Sequence, residues 1–293
     1  MNQKANWFDV VNTCFMILLI ALTFVPFLHV AAQSLSGNGP VMRGDVTLWP
    51  LEWSLESYKK VLSDGDVLVS YRNTVLYTVV GTAINIALTA LTAYALASKR
   101  MPMRRAFTFL VTFTMMFSGG MIPSYLVVSN LKLIDTIWAI VLPGAINTWN
   151  LLVMRTFFMG IPDNLTEAAM VDGAGDFRVF WQIFIPLSMA SIMAITLFYA
   201  VGHWNSYFNA MIYLNSPDKY PVQIMLRKMV IQGIISMEES AGDAAAAGSL
   251  AFNQMTQNIK YTVIMVAVIP ILMVYPFVQK YFVKGVMIGA IKG

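Results

Sequence analysis

The amino-acid sequence predicts an all-α membrane protein with six transmembrane helices. Of its 293 residues, 58% are hydrophobic and 12% are charged, which is about half the charged fraction of a soluble domain. Six apolar runs reach the roughly 20 residues that a helix needs to cross a bilayer. They are too uniformly apolar for the alternating strands of a barrel. The runs cover Val11–Ala32, Thr74–Ala97, Ala106–Val128, Thr136–Phe158, Leu187–Tyr213 and Tyr261–Phe282.

The first run follows Lys4 and ends in Ala31-Ala32, so a cleaved signal peptide is one interpretation of it. The run is longer than the apolar region of a signal peptide, which is typically about 7–15 residues. This length favours a retained first span. Residues 1–73 then hold the first transmembrane helix and an external loop, and residues 74–293 hold a five-helix core.

The charged loops predict the orientation of the spans. Between the second and third runs the chain carries Lys99, Arg100, Arg104 and Arg105. Cytoplasmic loops have an excess of Lys and Arg, so we expect this loop inside the cell. Six spans then place both termini in the cytoplasm and the longest loops outside.

The loop between the fourth and fifth runs departs from this charge bias. It is expected inside, yet it is acidic, and its carboxylates are Asp163, Glu167, Asp172 and Asp176. Basic residues are the ones enriched at that side of a membrane. A role other than membrane orientation must therefore account for the acidic residues.

Two short helices around a glycine corner are predicted within this loop, at residues 163–185. Asp163 and Asp176 each suit a helix N-cap, Gly173 is a natural helix stop, and Pro186 suits the first turn of the fifth span. Aromatic residues at i, i+3, i+4 and i+7 fall on one face of the second helix. These are Phe177, Phe180, Trp181 and Phe184.

Such a pair of helices has two interpretations. An interfacial hairpin lying on lipid headgroups is one, but the polar face of such a hairpin usually carries Lys and Arg. A docking surface for another protein is the other, and it fits an acidic helix beside an aromatic face better.

Residues 167–186 resemble the EAA motif of ABC importer permeases, the inner-membrane components of binding-protein-dependent transport systems. That motif is Glu-Ala-Ala, three residues, Gly, nine residues, Ile, one residue and Leu-Pro, and Ile185 replaces its Leu here. The run from Asp172 to Ala174, with Phe180, resembles the maltose-type permeases of the carbohydrate-uptake branch. Three further stretches, at 118–126, 204–214 and 284–293, resemble permeases for oligosaccharides and polysaccharides.

The resemblance implies that residues 163–185 are coupling helices that dock on an ATPase. Glu167 would make the polar contact, and Phe177 and Phe180 would fill an apolar cleft. ATP-driven closure of the ATPase dimer would then switch the transport cavity between its two orientations. The other motif positions assigned to this contact are Ala168, Ala169, Asp172, Gly173 and Pro186.

The resemblance also implies a set of partners. These are a second homologous permease, two ABC ATPase subunits that hold ATP and Mg, an external solute-binding protein and a saccharide. The expected location is the bacterial inner membrane. We expect no cofactor on this chain, no nucleic-acid partner and no enzymatic activity of its own. The outer loop 214–260 is expected to reach the binding protein or to be a solvated connection.

Polar side chains within the spans are candidates for the substrate pathway. In the fifth run, Asn205 and Asn209 are expected to share a helix face at i, i+4. Interhelical hydrogen bonds and an interfacial aromatic belt are the alternative explanation. The candidates are Trp204, Asn205, Tyr207 and Asn209 in the fifth run, and Asn147 and Asn150 in the fourth.

Other functional classes lack their signatures in the sequence. A P-loop is absent, and His29 and His203 do not have the spacing of a metal site. An ion-coupled secondary carrier is the alternative, but it would need a charged residue in the middle of a span, and none of the runs has a central carboxylate. The sequence leaves the identity of the saccharide open.

Overall fold

The computed structural model describes residues 7–117, 119–231, 258–276 and 279. Within these ranges the chain is helical and contains no β-strand. The helices are α1 (Trp7–Ser34), α2 (Asn38–Arg43), α3 (Glu56–Ser63), α4 (Gly65–Ala97), α5 (Arg104–Met116), α6 (Met121–Asn130), α7 (Ile137–Val141), α8 (Thr148–Met159), α9 (Asp163–Val171), α10 (Asp176–Leu187), α11 (Met189–Trp204), α12 (Phe208–Tyr213), α13 (222–231) and α14 (Asn258–Pro276).

Three helices of the described ranges, α1, α4 and α14, are long and apolar enough to cross a membrane. Two bent pairs, α5 with α6 and α10 with α11, raise the number to five if each pair is one span. The predicted fourth span is divided into α7 and α8, and the predicted end of the sixth, Phe282, lies outside the described residues. The α-helical membrane class is thus observed, and the count of six stays a prediction.

The chain divides into two compact units, one of residues 1–68 and 225–270 and the other of residues 69–224 and 271–293. In the first unit, α14 packs on the end of α1. The amide of Asn258 donates to the Ser36 carbonyl at 2.6 Å, and Tyr261 packs against Ala32 and Val46. The predicted division at residue 73 describes the order along the chain and stays a prediction.

The second unit has a core formed by four helices. Ala93 of α4 and Met154 of α8 are fully buried, and Phe184 of α10 and Ile195 of α11 pack with them. Small residues on α4 let the neighbouring helices approach closely, as is usual between membrane helices.

Side chains of other helices form hydrogen bonds with the backbone at the break between α7 and α8. Residues 142–147 include Pro143 and Gly144 and leave helical hydrogen bonds unmade. The Asn85 amide of α4 donates to the carbonyls of Gly144 and Ala145, both at 2.8 Å. The Asn147 N–H donates to the Tyr199 hydroxyl at 2.9 Å. Irregular backbone at membrane depth requires such internal partners.

Asp135 joins two loops of the second unit although its own backbone has a φ of +61°. Its carboxylate accepts from Lys219 Nζ at 2.6 Å and from Ser216 Oγ at 2.7 Å. The backbone N–H groups of Asn215 and Ser216 also donate to it. Lys219 and then Ser216 hold the pKa of Asp135 well below its usual range.

We predict that Asp135→Asn destabilises the protein by about 1–3 kcal/mol at neutral pH, because charge-assisted hydrogen bonds of this kind contribute that much. A lowered folded-state pKa adds stability above the unfolded value, near 4, and that stability is lost as pH falls through the folded value. The difference between wild type and variant in thermal unfolding should therefore shrink below about pH 4.

The matched control is Asp218→Asn, because Asp218 is exposed. Equal destabilisation by both substitutions, or a difference that does not change with pH, would contradict the assigned role of Asp135.

Candidate functional site

Helices α9 and α10 meet at Gly173, which has a φ of +81°. The Gly173 N–H donates to the Met170 carbonyl at 3.0 Å, and the Ala174 N–H donates to the Ala169 carbonyl at 2.9 Å. This pair of hydrogen bonds is a Schellman motif, which a left-handed residue after the helix end makes possible. The predicted glycine stop is therefore present at the predicted residue.

Asp163 and Asp176 were predicted as helix N-caps, but each is the first residue of its helix instead. Pro162 and Gly175 occupy the N-cap positions, and Asp163 and Asp176 are the first helical residues without a side-chain cap. Proline fixes its own φ at about −65°, which suits the non-helical N-cap backbone observed at Pro162. The carboxylates still oppose the positive end of each helix dipole from the first turn.

The aromatic residues of α10 are divided between the core and the surface. Phe180 and Phe184 are buried, whereas Phe177 is 69% exposed and Trp181 is 54% exposed. A π-helical turn at Phe180–Phe184 changes the helical periodicity over this stretch. The expectation that Phe177 and Phe180 face outward together is thus not met, because Phe180 lies in the core of this chain.

Tyr94 and Phe158 hold the buried aromatics in place. The ring centroid of Tyr94 lies 5.3 Å from that of Phe180 and 4.8 Å from that of Phe184. Phe158 meets Phe184 edge to face at 5.4 Å. Such pairs add about 0.5–1.5 kcal/mol each beyond the area they bury. Helix α10 is therefore anchored to both α4 and α8.

The remaining motif residues are mostly at the surface. Ala169 is half-buried and contacts the core. The exposed ones are Glu167, Ala168, Asp172, Gly173, Phe177 and Pro186. We call α9, the Gly173 corner and α10 the α9–α10 segment.

The basic loop between α4 and α5 contacts the acidic α9–α10 segment. Lys99 Nζ pairs with Asp163 Oδ2 at 2.5 Å, and the Arg100 guanidinium contacts the Met170 sulfur. A groove of about 280 Å³ lies between them, and Arg104, Glu167 and Asp176 also line it. Lys99 thus gives one acidic residue of this loop, Asp163, a basic partner within the chain.

A cavity of about 410 Å³ lies between the α7–α8 break and the α11–α12 region. It brings together three of the six predicted pathway residues, Asn147, Asn150 and Asn209. The other lining residues are Ile140, Gly144, Trp149, Phe198, Tyr199, Gly202, His203 and Ser206. Amides, hydroxyls and aromatic faces therefore converge on one open space.

Trp204, Asn205 and Tyr207 do not line this cavity. Helix α11 ends at Trp204, so the expected helix face shared by Asn205 and Asn209 is interrupted. Asn205 caps the helix and its Oδ1 accepts from Gln223 at 3.4 Å. Asparagine and serine compete with helical hydrogen bonds through their side chains, and the sequence Asn205-Ser206 stands at this break.

His203 also lines the cavity, although it is not one of the six predicted pathway residues. The Asn85 amide hydrogens are donated to the α7–α8 break, so its Oδ1 accepts from His203 Nε2 at 2.6 Å. A Cβ at Gly81 would lie 2.5 Å from that Nε2, so glycine makes room for the ring. The sequence feature that could have indicated this contact is Gly81 followed by Asn85 four residues later, on one face of α4.

No group of three or more metal-ligating His, Cys, Asp or Glu side chains occurs in the described ranges. Apolar helices, a polar cavity between broken helices and the surface-exposed α9–α10 segment are the features expected of a membrane transport subunit.

The comparisons identify the family. Residues 85–288 match the family described as binding-protein-dependent transport system inner membrane component. The chain belongs to this family, the permeases of ABC importers, and the predicted resemblance to them is confirmed.

Two relatives come from Bacillus subtilis (strain 168). The polygalacturonan/rhamnogalacturonan transport system permease protein YtcP is 41% identical over 99% of this chain and 100% of that protein. Protein LplC is 41% identical over 100% of this chain and 97% of that protein. A solved bacterial ABC transporter for import of the acidic polysaccharide alginate matches with a TM-score of 0.84 and 32% identity, over 96% of this chain and 99% of the solved one.

We predict that Gly173→Ala loosens the α9–α10 segment, because a side chain in the left-handed conformation costs about 1–2 kcal/mol. Gly175→Ala is the matched control, since Gly175 has a φ of −72° and both positions have open space for a Cβ. Hydrogen exchange of the amides at 163–187 should be faster in Gly173→Ala and unchanged in the control. Equal exchange rates in both variants would rule out the backbone explanation.

Proposed function

We propose that this chain is the permease subunit of an ABC importer for oligosaccharides or polysaccharide fragments, and that the α9–α10 segment couples it to an ATPase. The observation that supports the proposal most strongly is the segment itself, which carries the EAA motif on a corner anchored to the membrane helices. The substrate class is proposed from the names of related transporters, which are described as carrying polygalacturonan and rhamnogalacturonan or alginate.

The exposed residues of the segment are suited to a protein interface. Glu167 provides a charge and Phe177 a large apolar surface, and both are exposed while the helices beneath them are anchored. Aromatic residues are enriched at the energetically important centres of interfaces. In this proposal Phe177 enters the apolar cleft of the ATPase, and Phe180 positions α10 from within the core.

Movement of the segment would reach the transport cavity through packed contacts. Tyr94 connects α10 with α4, and Phe158 connects it with α8. Helix α8 carries Asn150 of the cavity, and α4 carries Asn85, which supports the α7–α8 break. ATP binding on the partner subunits would then shift this body between two orientations.

The proposal includes the rest of the importer. A second permease completes the pathway, two ATPase subunits hold ATP and Mg, and an external binding protein delivers the saccharide. Both termini and the α9–α10 segment lie in the cytoplasm, and the chain carries no enzymatic activity or cofactor of its own. The ion-coupled carrier has no observation in its favour and is not proposed.

The cavity is proposed as this chain's part of the saccharide pathway. Sugars are recognised by aromatic faces together with amide and hydroxyl partners, and Trp149, Asn209 and Ser206 offer these groups. Trp204, Asn205 and Tyr207 lie outside the cavity and are assigned to structural roles.

Glu167→Lys is predicted to reduce ATPase binding by tenfold or more, because a reversed charge in an interface costs about 2–5 kcal/mol. The chain should still reach the membrane, since Glu167 is exposed. Copurification of the ATPase and saccharide uptake are the measurements. Glu56→Lys, a charge reversal at another exposed glutamate, at the start of α3, serves as the control. Full uptake with Glu167→Lys would contradict the proposed coupling.

Asn209→Ala is predicted to raise the saccharide concentration for half-maximal uptake roughly three- to tenfold, the effect of one lost hydrogen bond. Asn205→Ala is the matched control because its side chain lies outside the cavity. The assay is uptake by the assembled importer in liposomes, with oligosaccharides derived from rhamnogalacturonan. A larger effect of Asn205→Ala would favour the pathway expected from sequence over the cavity.

A further inference from the structure

Three arginines converge on one groove at the junction of α5 and α8. The groove has a volume of about 330 Å³ and is lined by Arg104, Arg105, Thr108, Phe109, Thr112 and Arg155. Arg104 also lines the groove beside the α9–α10 segment, but the other five lining residues belong to neither proposed functional site. We name it the arginine groove.

No carboxylate lies among the lining residues of the arginine groove. Within the residues that the structure describes, none of Arg104, Arg105 and Arg155 takes part in an ion pair. Arg104 and Arg155 each use one N–H group on a backbone carbonyl, of Ala97 and Leu96 respectively. A guanidinium has five N–H donors. The arginines of the groove therefore have many more donors than these two carbonyls can accept from, and none of them donates to a carboxylate.

The threonine hydroxyl groups in the groove do not act as acceptors for the arginines. Thr108 Oγ1 donates to the Arg104 carbonyl and Thr112 Oγ1 to the Thr108 carbonyl, both at 2.8 Å. Three guanidinium groups so close together repel one another, and Arg104 and Arg105 also stand in the first turn of α5, where the helix dipole disfavours cations. An anion with several acceptor oxygens relieves both effects.

The surface beside the groove is apolar. Helix α5 has no buried side chain, and Phe109, Leu110 and Phe113 are 71%, 62% and 47% exposed. An anion that carries acyl chains can place its headgroup on the arginines and its chains along this surface. The positive-inside bias accounts for basic residues in the loop, but it does not bring Arg155 of α8 into the same groove.

We propose that the arginine groove binds the phosphate headgroup of an anionic phospholipid of the surrounding leaflet. Guanidinium groups match phosphate oxygens in geometry and charge, and basic pockets between membrane helices are suited to such headgroups. Apart from Arg104, the arginine groove shares no lining residue with the saccharide cavity or with the groove beside the α9–α10 segment.

The test is lipid binding to the purified full-length chain in nanodiscs of phosphatidylcholine with or without phosphatidylglycerol, with retained lipid counted by native mass spectrometry after mild extraction. Wild type should retain phosphatidylglycerol in preference to phosphatidylcholine. Arg105→Gln should weaken that preference roughly five- to tenfold, the effect of one arginine near an anionic surface. Arg105 is exposed, so this substitution spares the fold, and Arg155→Gln should add to the loss.

Arg100→Gln is the control, because Arg100 belongs to the same basic loop but does not line the groove. An equal loss with Arg100→Gln would show a diffuse surface charge and overturn the site. Displacement of the lipid by millimolar inorganic phosphate would assign the groove to a soluble anion and contradict the lipid. The proposal would also be overturned if the wild type retained no lipid. It would likewise be overturned if the partner permease shielded the groove in the assembled importer.

Discussion

The packing of Phe180 and Phe184 against Tyr94 and Phe158 is the contact on which the rest of this structure depends. Without it, the segment would keep only the packing of Val179 and of small or half-buried side chains, together with surface ion pairs, which contribute little. With it, the segment becomes part of the core that α4, α8, α10 and α11 share. A force applied to α10 at the exposed Phe177 would therefore be transmitted through this packing to α4 and α8.

A second constraint is that backbone groups at membrane depth need partners inside the protein. The α7–α8 break violates helical pairing, and Asn85 and Tyr199 supply the missing partners. The same residues hold His203 and Asn147 at the cavity, because Asn85 Oδ1 accepts from the histidine and the Tyr199 hydroxyl accepts from the Asn147 backbone N–H. The hydrogen bonds that stabilise the broken helix thus also build the proposed saccharide cavity.

Sequence reasoning recovered what depends on local composition. Apolarity identified the α-helical membrane class, and the left-handed conformation that glycine adopts readily placed the corner at Gly173. It did not recover what depends on tertiary partners. The division of the fourth span requires Asn85, 59 residues away in sequence, and the burial of Phe180 requires Tyr94 and the π-helical turn. Simple 3.6-residue periodicity places Phe177 and Phe180 on one outward face, and packing separates them.

The central claim is that the α9–α10 segment and α4 move as one body during transport. It is tested by pulsed electron paramagnetic resonance on the assembled importer, with spin labels at Val171→Cys and Val79→Cys in a Cys14→Ser background. Both valines are exposed, at 87% and 62%. We expect one narrow distance distribution that does not shift between the nucleotide-free and ATP-bound states. A shifted or broadened distribution on ATP binding would show that the segment moves independently of α4 and would contradict the claim.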